Sequence, residues 1–178
     1  ASDDAISINV SDPDVYKLAM GRYTASTRVE SDMRWKEYYS GIRKANILIN
    51  HIDVVPFMLT YKNAKGETKP LNVTMKAEAR FLRAYFYYKL VEAYGPVPIV
   101  PETAYDVDAS AESMSLERET YENCINYICE NFEKAYEYLP SSRTSTLVNL
   151  PTSGAALALM GRVRLIEASP WYNGNEFY

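Results

Sequence analysis

The chain is poor in the residues that most often carry chemistry: its 178 residues include one histidine and two cysteines. His51 has no second histidine to join it and no serine or cysteine in a nucleophile elbow, so neither a catalytic triad nor a histidine-rich metal site can be assembled around it. Cys124 and Cys129 fall within one expected helix, where five positions of separation put their Cα atoms about 8 Å apart. That exceeds disulfide reach, and two cysteines without a histidine cluster argue against zinc. Two free, core-type thiols are expected, with no metal and no cofactor.

Positive charge is scarce as well. Nineteen Lys and Arg against 23 Asp and Glu leave a formal charge of -4, which removes the long-range attraction that a nucleic-acid binder needs. Nucleic acid is therefore excluded as the main partner. No apolar run approaches the roughly eighteen residues of a membrane-spanning helix. The opening Ala1-Ser2-Asp3-Asp4 has neither the basic end nor the apolar stretch of a signal peptide, as expected if an export signal has been cut away.

What the chain does have is helical periodicity and tyrosine. Sixteen tyrosines against five phenylalanines suit half-wet packing and sugar-binding surfaces alike, because the ring is apolar and the hydroxyl polar. Four segments read as helices. The first runs from about Met33 to His51 with Trp35, Tyr39, Ile42, Asn46 and Ile49 on one stripe. The second opens at Thr74 as N-cap and stops at Gly95-Pro96. On it, Ala77, Phe81, Ala84, Tyr88 and Val91 form one apolar face, and Ala79, Leu82, Phe86, Leu90 and Ala93 an opposed one. Lys76, Arg80 and Arg83 form a polar stripe between them. Two opposed apolar faces belong to an inner helix, flanked on both sides.

The third helix is expected from Ser115 to Leu139-Pro140, with the single stripe Tyr121, Ile125, Ile128, Phe132, Ala135 and Leu139 and a glutamate-rich back. The fourth, capped by Thr152 or Ser153 and running to about Ser169, is apolar almost all round and reads as a second inner helix. A helix recurs about every 40 residues, outer alternating with inner. The fold class that follows is all-α, with helix-pair repeats of tetratricopeptide (TPR) type and long irregular loops at 52–73, 95–114 and 140–151. Loops of that length usually do something or carry extra structure.

One block is more specific. Glu78-Ala79-Arg80-Phe81-Leu82-Arg83-Ala84, then Tyr85, Tyr87 and Tyr88, then Tyr94-Gly95-Pro96-Val97-Pro98, closely resembles the signature helix of the SusD/RagB family. Trp35 to Ile49 looks like the family's preceding helix. Thr152-Ser153-Gly154-Ala155-Ala156, Gly161-Arg162-Val163 and Ala168-Ser169-Pro170-Trp171-Tyr172-Asn173 continue the same order downstream. The resemblance makes residues 1–178 a SusD-like helical-repeat domain, the N-terminal portion of a longer protein. It implies a nutrient-binding lipoprotein on the outer face of the outer membrane, held there by a lipid anchor absent from this chain. Such a protein grips oligosaccharides with loops and hands them to a TonB-dependent, SusC-like transporter without performing chemistry on them. The alternative from the residues alone is a TPR-like adaptor that binds a peptide or protein partner.

The candidate contacts weigh unequally. Arg80 and Arg83 look like an anion site, but structural ion pairing with glutamates is the commoner fate of such a stripe. Asn46, inside an apolar stripe, needs partners if buried, and tying down a loop would supply them. Trp171, Tyr172 and Asn173 follow Pro170 at a helix end and combine rings with an amide, the chemistry of sugar stacking and hydroxyl recognition. They are the expected carbohydrate-binding residues. The competing reading is that these rings fold back onto the core.

Overall fold

The computed structural model describes residues 20–22, 24, 34–56, 58–103, 110 and 115–174. The chain divides into two units, Ala1–Glu37 and Tyr38–Tyr178. In the first, Met20 and Gly21 form a turn with Gly21 at φ 63°. Met33, the expected start of the first helix, lies outside the described residues. The rest of this account concerns the second unit.

Four helices are present among the described residues: α1 (Trp35–His51), α2 (Leu71–Tyr94), α3 (Tyr121–Tyr138) and α4 (Ser153–Glu167). The all-α expectation holds, with one small exception in the first long loop. There, after a 3-10 turn at Ile52–Val54, the strands β1 (Thr60–Lys62) and β2 (Thr68–Pro70) form an antiparallel hairpin with Tyr61 opposite Lys69. Asn63 makes its turn. Its Oδ1 accepts the N–H groups of Lys65 at 3.1 Å and Glu67 at 2.9 Å, and Gly66 takes φ 79°, where a side chain would be strained.

The hairpin caps another helix. The last carbonyls of a helix have no partner within it, and those closing α3 are met from here. Asn63 Nδ2 donates to the Glu137 carbonyl at 3.1 Å, the Tyr61 hydroxyl to that of Tyr138, and the Ala64 N–H to that of Leu139 at 3.0 Å.

α2 begins three residues before the expected Thr74 cap. The Leu71 N–H is taken by the Leu59 carbonyl at 2.9 Å across the hairpin base, so a first-turn donor is satisfied without a side-chain cap. Pro70, with φ fixed, leads straight into the helix, and Thr74 is buried inside it. At the other end Gly95, at φ 68°, returns its N–H to the Val91 carbonyl at 2.9 Å.

The two-sided burial of α2 is largely as the register requires. On the α1 side Ala79 packs with Ala45 and Ile49, and Phe86 lies beside Tyr38 and Gly41. On the α3 side Phe81 meets Phe132 edge-on at 5.5 Å and Tyr87 meets Tyr127 at 5.2 Å. The second face is not sealed, because Leu82 and Ala93 remain exposed.

α3 starts at Tyr121, six residues after Ser115, because residues 115–120 take no regular secondary structure and Thr120 is extended at φ −70°, ψ 156°. Arg118 holds that stretch to the end of α2 by donating to the carbonyls of Tyr94 (3.1 Å) and Pro96 (2.6 Å). Thr120 is the true N-cap, accepting the Asn123 N–H at 3.1 Å. The expected apolar stripe from Tyr121 to Leu139 is buried throughout, and both cysteines are free and buried.

α4 follows its Thr152 cap, which accepts the Ala155 N–H at 3.3 Å. Only Ser153, Ala156 and Val163 are buried. Among the described residues α4 is therefore not the fully enclosed inner helix its sequence suggests. Its neighbour α3 covers one face, and Leu157, Ala158, Gly161 and Leu165 stay in solvent.

Candidate functional site

The signature helix holds a buried guanidinium rather than an exposed basic stripe. Arg83 is 2% exposed, and four partners converge on it from three places in the chain. Its Nε and Nη2 donate to Asn131 Oδ1 (3.1 and 2.5 Å), its Nη1 donates to Asn46 Oδ1 (2.9 Å), and Nη2 lies 2.6 Å from Glu102 Oε1. The guanidinium also sits 5.6 Å from the centre of the Tyr127 ring. A charge so far from water must be paired and hydrogen-bonded to persist. Sequence spacing places Arg83 on the polar stripe of α2. Only the partners from α1, α3 and the following loop explain why it turns inward.

That loop is a proline-rich strap, residues 96–102, stitched to three helices. Prolines carry no N–H, so Pro96, Pro98 and Pro101 present only carbonyls that need donors, and neighbouring side chains supply them. The Tyr39 hydroxyl donates to the Pro98 carbonyl at 2.7 Å, Asn46 Nδ2 to that of Pro101 at 3.2 Å, and Asn50 Nδ2 to that of Glu102 at 2.6 Å. Val97 accepts from the Glu119 N–H at 3.3 Å and the Cys124 thiol at 3.5 Å. The Val100 N–H points to the Tyr87 hydroxyl at 3.0 Å. Asn46 thus ties down a loop as expected, and joins it to Arg83.

Burial pushes the hydroxyls of Tyr39 and Tyr87 well above the ordinary tyrosine range and the thiols of Cys124 and Cys129 above the ordinary thiol range. These groups are protonated packing elements at neutral pH. His51 Nδ1 stands 2.8 Å from the Ile47 carbonyl, a contact within its own helix. Among the described residues no group of three or more His, Cys, Asp and Glu is placed to hold a metal ion.

The expected sugar contacts fall on one turn after α4. Ser169 directs it, its carbonyl accepting the N–H groups of Tyr172 at 3.1 Å and Asn173 at 2.9 Å, and Gly174 closes it at φ 79°. The three candidates divide between the two readings. Tyr172 lies flat on Tyr121, 4.1 Å between centroids and 8° between planes. It helps line a cavity of about 30 Å³ with Tyr88, Val91, Ile125 and Val163, so one ring face is committed to packing. Trp171 is 68% exposed, and Asn173 beside it is exposed too. The turn offers solvent one large ring and one amide. Phe177 and Tyr178 lie outside the described residues.

Comparison with known proteins places this arrangement in a family. The SusD-like family described as "Starch-binding associating with outer membrane" matches residues 4–165. A SusD-like protein of Bacteroides ovatus is 28% identical over 143 residues, 79% of this chain and 23% of that protein. The solved structure of a SusD-like protein from Bacteroides fragilis is 29% identical with a TM-score of 0.62, covering 76% of this chain and 24% of that one. A SusD-like carbohydrate binding protein, also solved from Bacteroides fragilis, is 25% identical with a TM-score of 0.58, over 75% of this chain and 23% of that one. The chain belongs to the SusD-like family. It spans about a quarter of the length of the curated relatives it matches.

Proposed function

We propose that this chain is the helical scaffold of a non-catalytic glycan-binding protein of the outer membrane, one that captures oligosaccharide and passes it to a TonB-dependent, SusC-like transporter. The observation that carries the reading is the family match over residues 4–165, whose description joins starch binding to the outer membrane. In this reading the protein faces outward from the cell surface on a lipid anchor, and residues 1–178 form one helical-repeat domain of it.

The physical arrangement supports binding rather than turnover. The buried polar groups around Arg83 are engaged with one another, which suits a scaffold and leaves no poised acid or base there. Trp171 and Asn173 suit a sugar, the ring for its apolar face and the amide for its hydroxyls. An adaptor role for the repeats has no observation of this kind behind it.

The test is retention of the full-length polypeptide on immobilised starch, laminarin and other glycans, with reducing-end analysis of the eluate. Retention without release of product supports the proposal. No retention on any glycan, or cleavage of one, overturns it. Co-purification of the transporter from outer membranes tests the partner.

A further inference from the structure

The end of the molecule where α1 stops and α2 starts is apolar on its outside. Val54 is 81%, Met58 98% and Leu59 68% exposed, and Val55 is exposed beside them. Phe57 lies outside the described residues. The exposure is built into the fold, because the run is pinned at both ends. The Val55 N–H reaches the Ile52 carbonyl at 3.2 Å, Ile52 itself is buried, and the Leu59 carbonyl holds the Leu71 N–H at 2.9 Å. The loop after α3 meets the same end, since the Ala64 N–H donates to the Leu139 carbonyl and Arg143 bonds Glu78 near the start of α2. That loop adds the exposed Leu147 and Val148.

The charges around these side chains are biased. From Arg43 to Lys76 there are six Lys and Arg against two acids, in a chain whose formal charge is -4. Both acids are engaged, Asp53 with Lys76 and Glu67 with Lys69 at 3.3 Å. Arg43, Lys44, Lys62 and Lys65 are left on the surface. The last two follow the apolar run in the hairpin, and Lys44, Ile47 and His51 lead down the exposed back of α1 to Val54. Of the other acids at this end, Glu78 is paired with Arg143 and Glu137 of α3 is exposed, so the balance stays positive.

We propose that this end seats on an anionic lipid surface. Val54, Met58 and Leu59 enter the boundary between head groups and acyl chains, and Lys62 and Lys65 stay above it against the lipid phosphates. Contiguous apolar exposure of this kind marks an interaction site. An apolar projection rimmed by lysine matches a membrane interface, where apolar burial and attraction to anionic lipid act together. Protein–protein interfaces, by contrast, are depleted in lysine. The contact needs the outer-membrane setting proposed above but no sugar, and it fixes which end of the helices faces the bilayer.

The test sediments the full-length polypeptide, free of lipid modification, with vesicles of phosphatidylcholine alone or mixed equally with phosphatidylglycerol. The parent should bind the mixed vesicles, and the neutral ones more weakly. Val54→Asp with Met58→Asp should bind at least about tenfold more weakly at an unchanged melting temperature, since both side chains lie in solvent. Lys62→Glu with Lys65→Glu should lose the preference for anionic vesicles. A parent that stays in the supernatant, or variants that bind as it does, overturns the proposal. A polarity-sensitive dye on Met58→Cys should shift to the blue when mixed vesicles are added, and the same dye on the control Lys134→Cys of α3 should not. Cys124 and Cys129 are buried, which keeps the labelling selective. A dye already blue in buffer and unchanged by vesicles puts Met58 beneath other protein, the same polypeptide or a second copy, and also overturns it. Glycan retention should be unaffected by these substitutions, so the two readings fail separately.

Discussion

The guanidinium of Arg83 and the carboxylate of Glu102 stand 2.6 Å apart with unequal surroundings, the first 2% and the second 49% exposed. Removing either partner therefore has different consequences. Arg83→Met strands the buried amide oxygens of Asn46 and Asn131 and removes one of the strap's anchors, the pairing with Glu102. Breaking a buried, hydrogen-bonded charge in this way costs about 3–5 kcal/mol. Glu102→Gln leaves Arg83 its two asparagines and a neutral acceptor, and should cost about 1 kcal/mol. Urea unfolding of both variants checks the ordering. Equal losses would mean that the carboxylate, not the amides, sustains the buried charge.

Gly41 is a second point where α1 and α2 are fitted to each other. A Cβ there would lie 2.5 Å from Phe86 Cε2. Alanine normally stabilises a helix over glycine by about 1 kcal/mol, but forcing the Phe86 ring aside costs about 1–3 kcal/mol. Gly41→Ala should be destabilising on balance. Phe86→Leu in the same background should recover part of the loss by making room, a coupling that a double-mutant cycle would measure.

Alkaline stability follows from the strap. Burial holds the Tyr39 and Tyr87 hydroxyls protonated in the folded state above the ordinary value of 10.0. Above about pH 10 the unfolded chain gives up protons that the folded chain keeps, so stability should be level up to that range and fall as pH rises beyond it. Tyr39→Phe with Tyr87→Phe should be less stable at neutral pH by about 1–2 kcal/mol, since the Pro98 carbonyl and Val100 N–H lose their partners. Its stability should nevertheless fall less between pH 9 and 11. Denaturation curves at the two pH values test this, and parallel losses in parent and variant would refute it.

How far the sequence could be read depends on the range of each interaction. The Thr152 cap, the Gly95 stop and the α3 stripe are local, and reading them needed only neighbours in sequence. α2 starts before its Thr74 cap signal because the Leu71 N–H is satisfied by Leu59, across a hairpin. That hairpin had a signal, Asn63 and Gly66 within a polar stretch, but strands this short carry no periodicity. The ion pairing expected of Arg83 is met by Glu102, but its burial is not legible locally, because its other partners Asn46 and Asn131 are 37 and 48 residues away. Tyr172 was ambiguous for the same reason: Tyr121, which it covers, is distant in the chain.

The division between Trp171 and Tyr172 leads to the last prediction. If the turn after α4 contacts sugar, the exposed ring must do it, because Tyr172 has one face on Tyr121. Trp171→Ala should weaken binding of the full-length polypeptide to its glycan by about 1–2 kcal/mol, tenfold or somewhat more, with little change in stability, since an exposed side chain contributes little to the core. Tyr172→Ala should do the reverse, costing about 2–3 kcal/mol of stability through the lost stack and the enlarged cavity. One ring and one amide are too few contacts to offset the ordering of a flexible, hydrated oligosaccharide. Residues 1–178 alone should therefore bind the glycan at least a hundredfold, or about 2.7 kcal/mol, more weakly than the full-length polypeptide. Calorimetry of both against one glycan panel tests this: equal, tight binding would place the whole site within these residues.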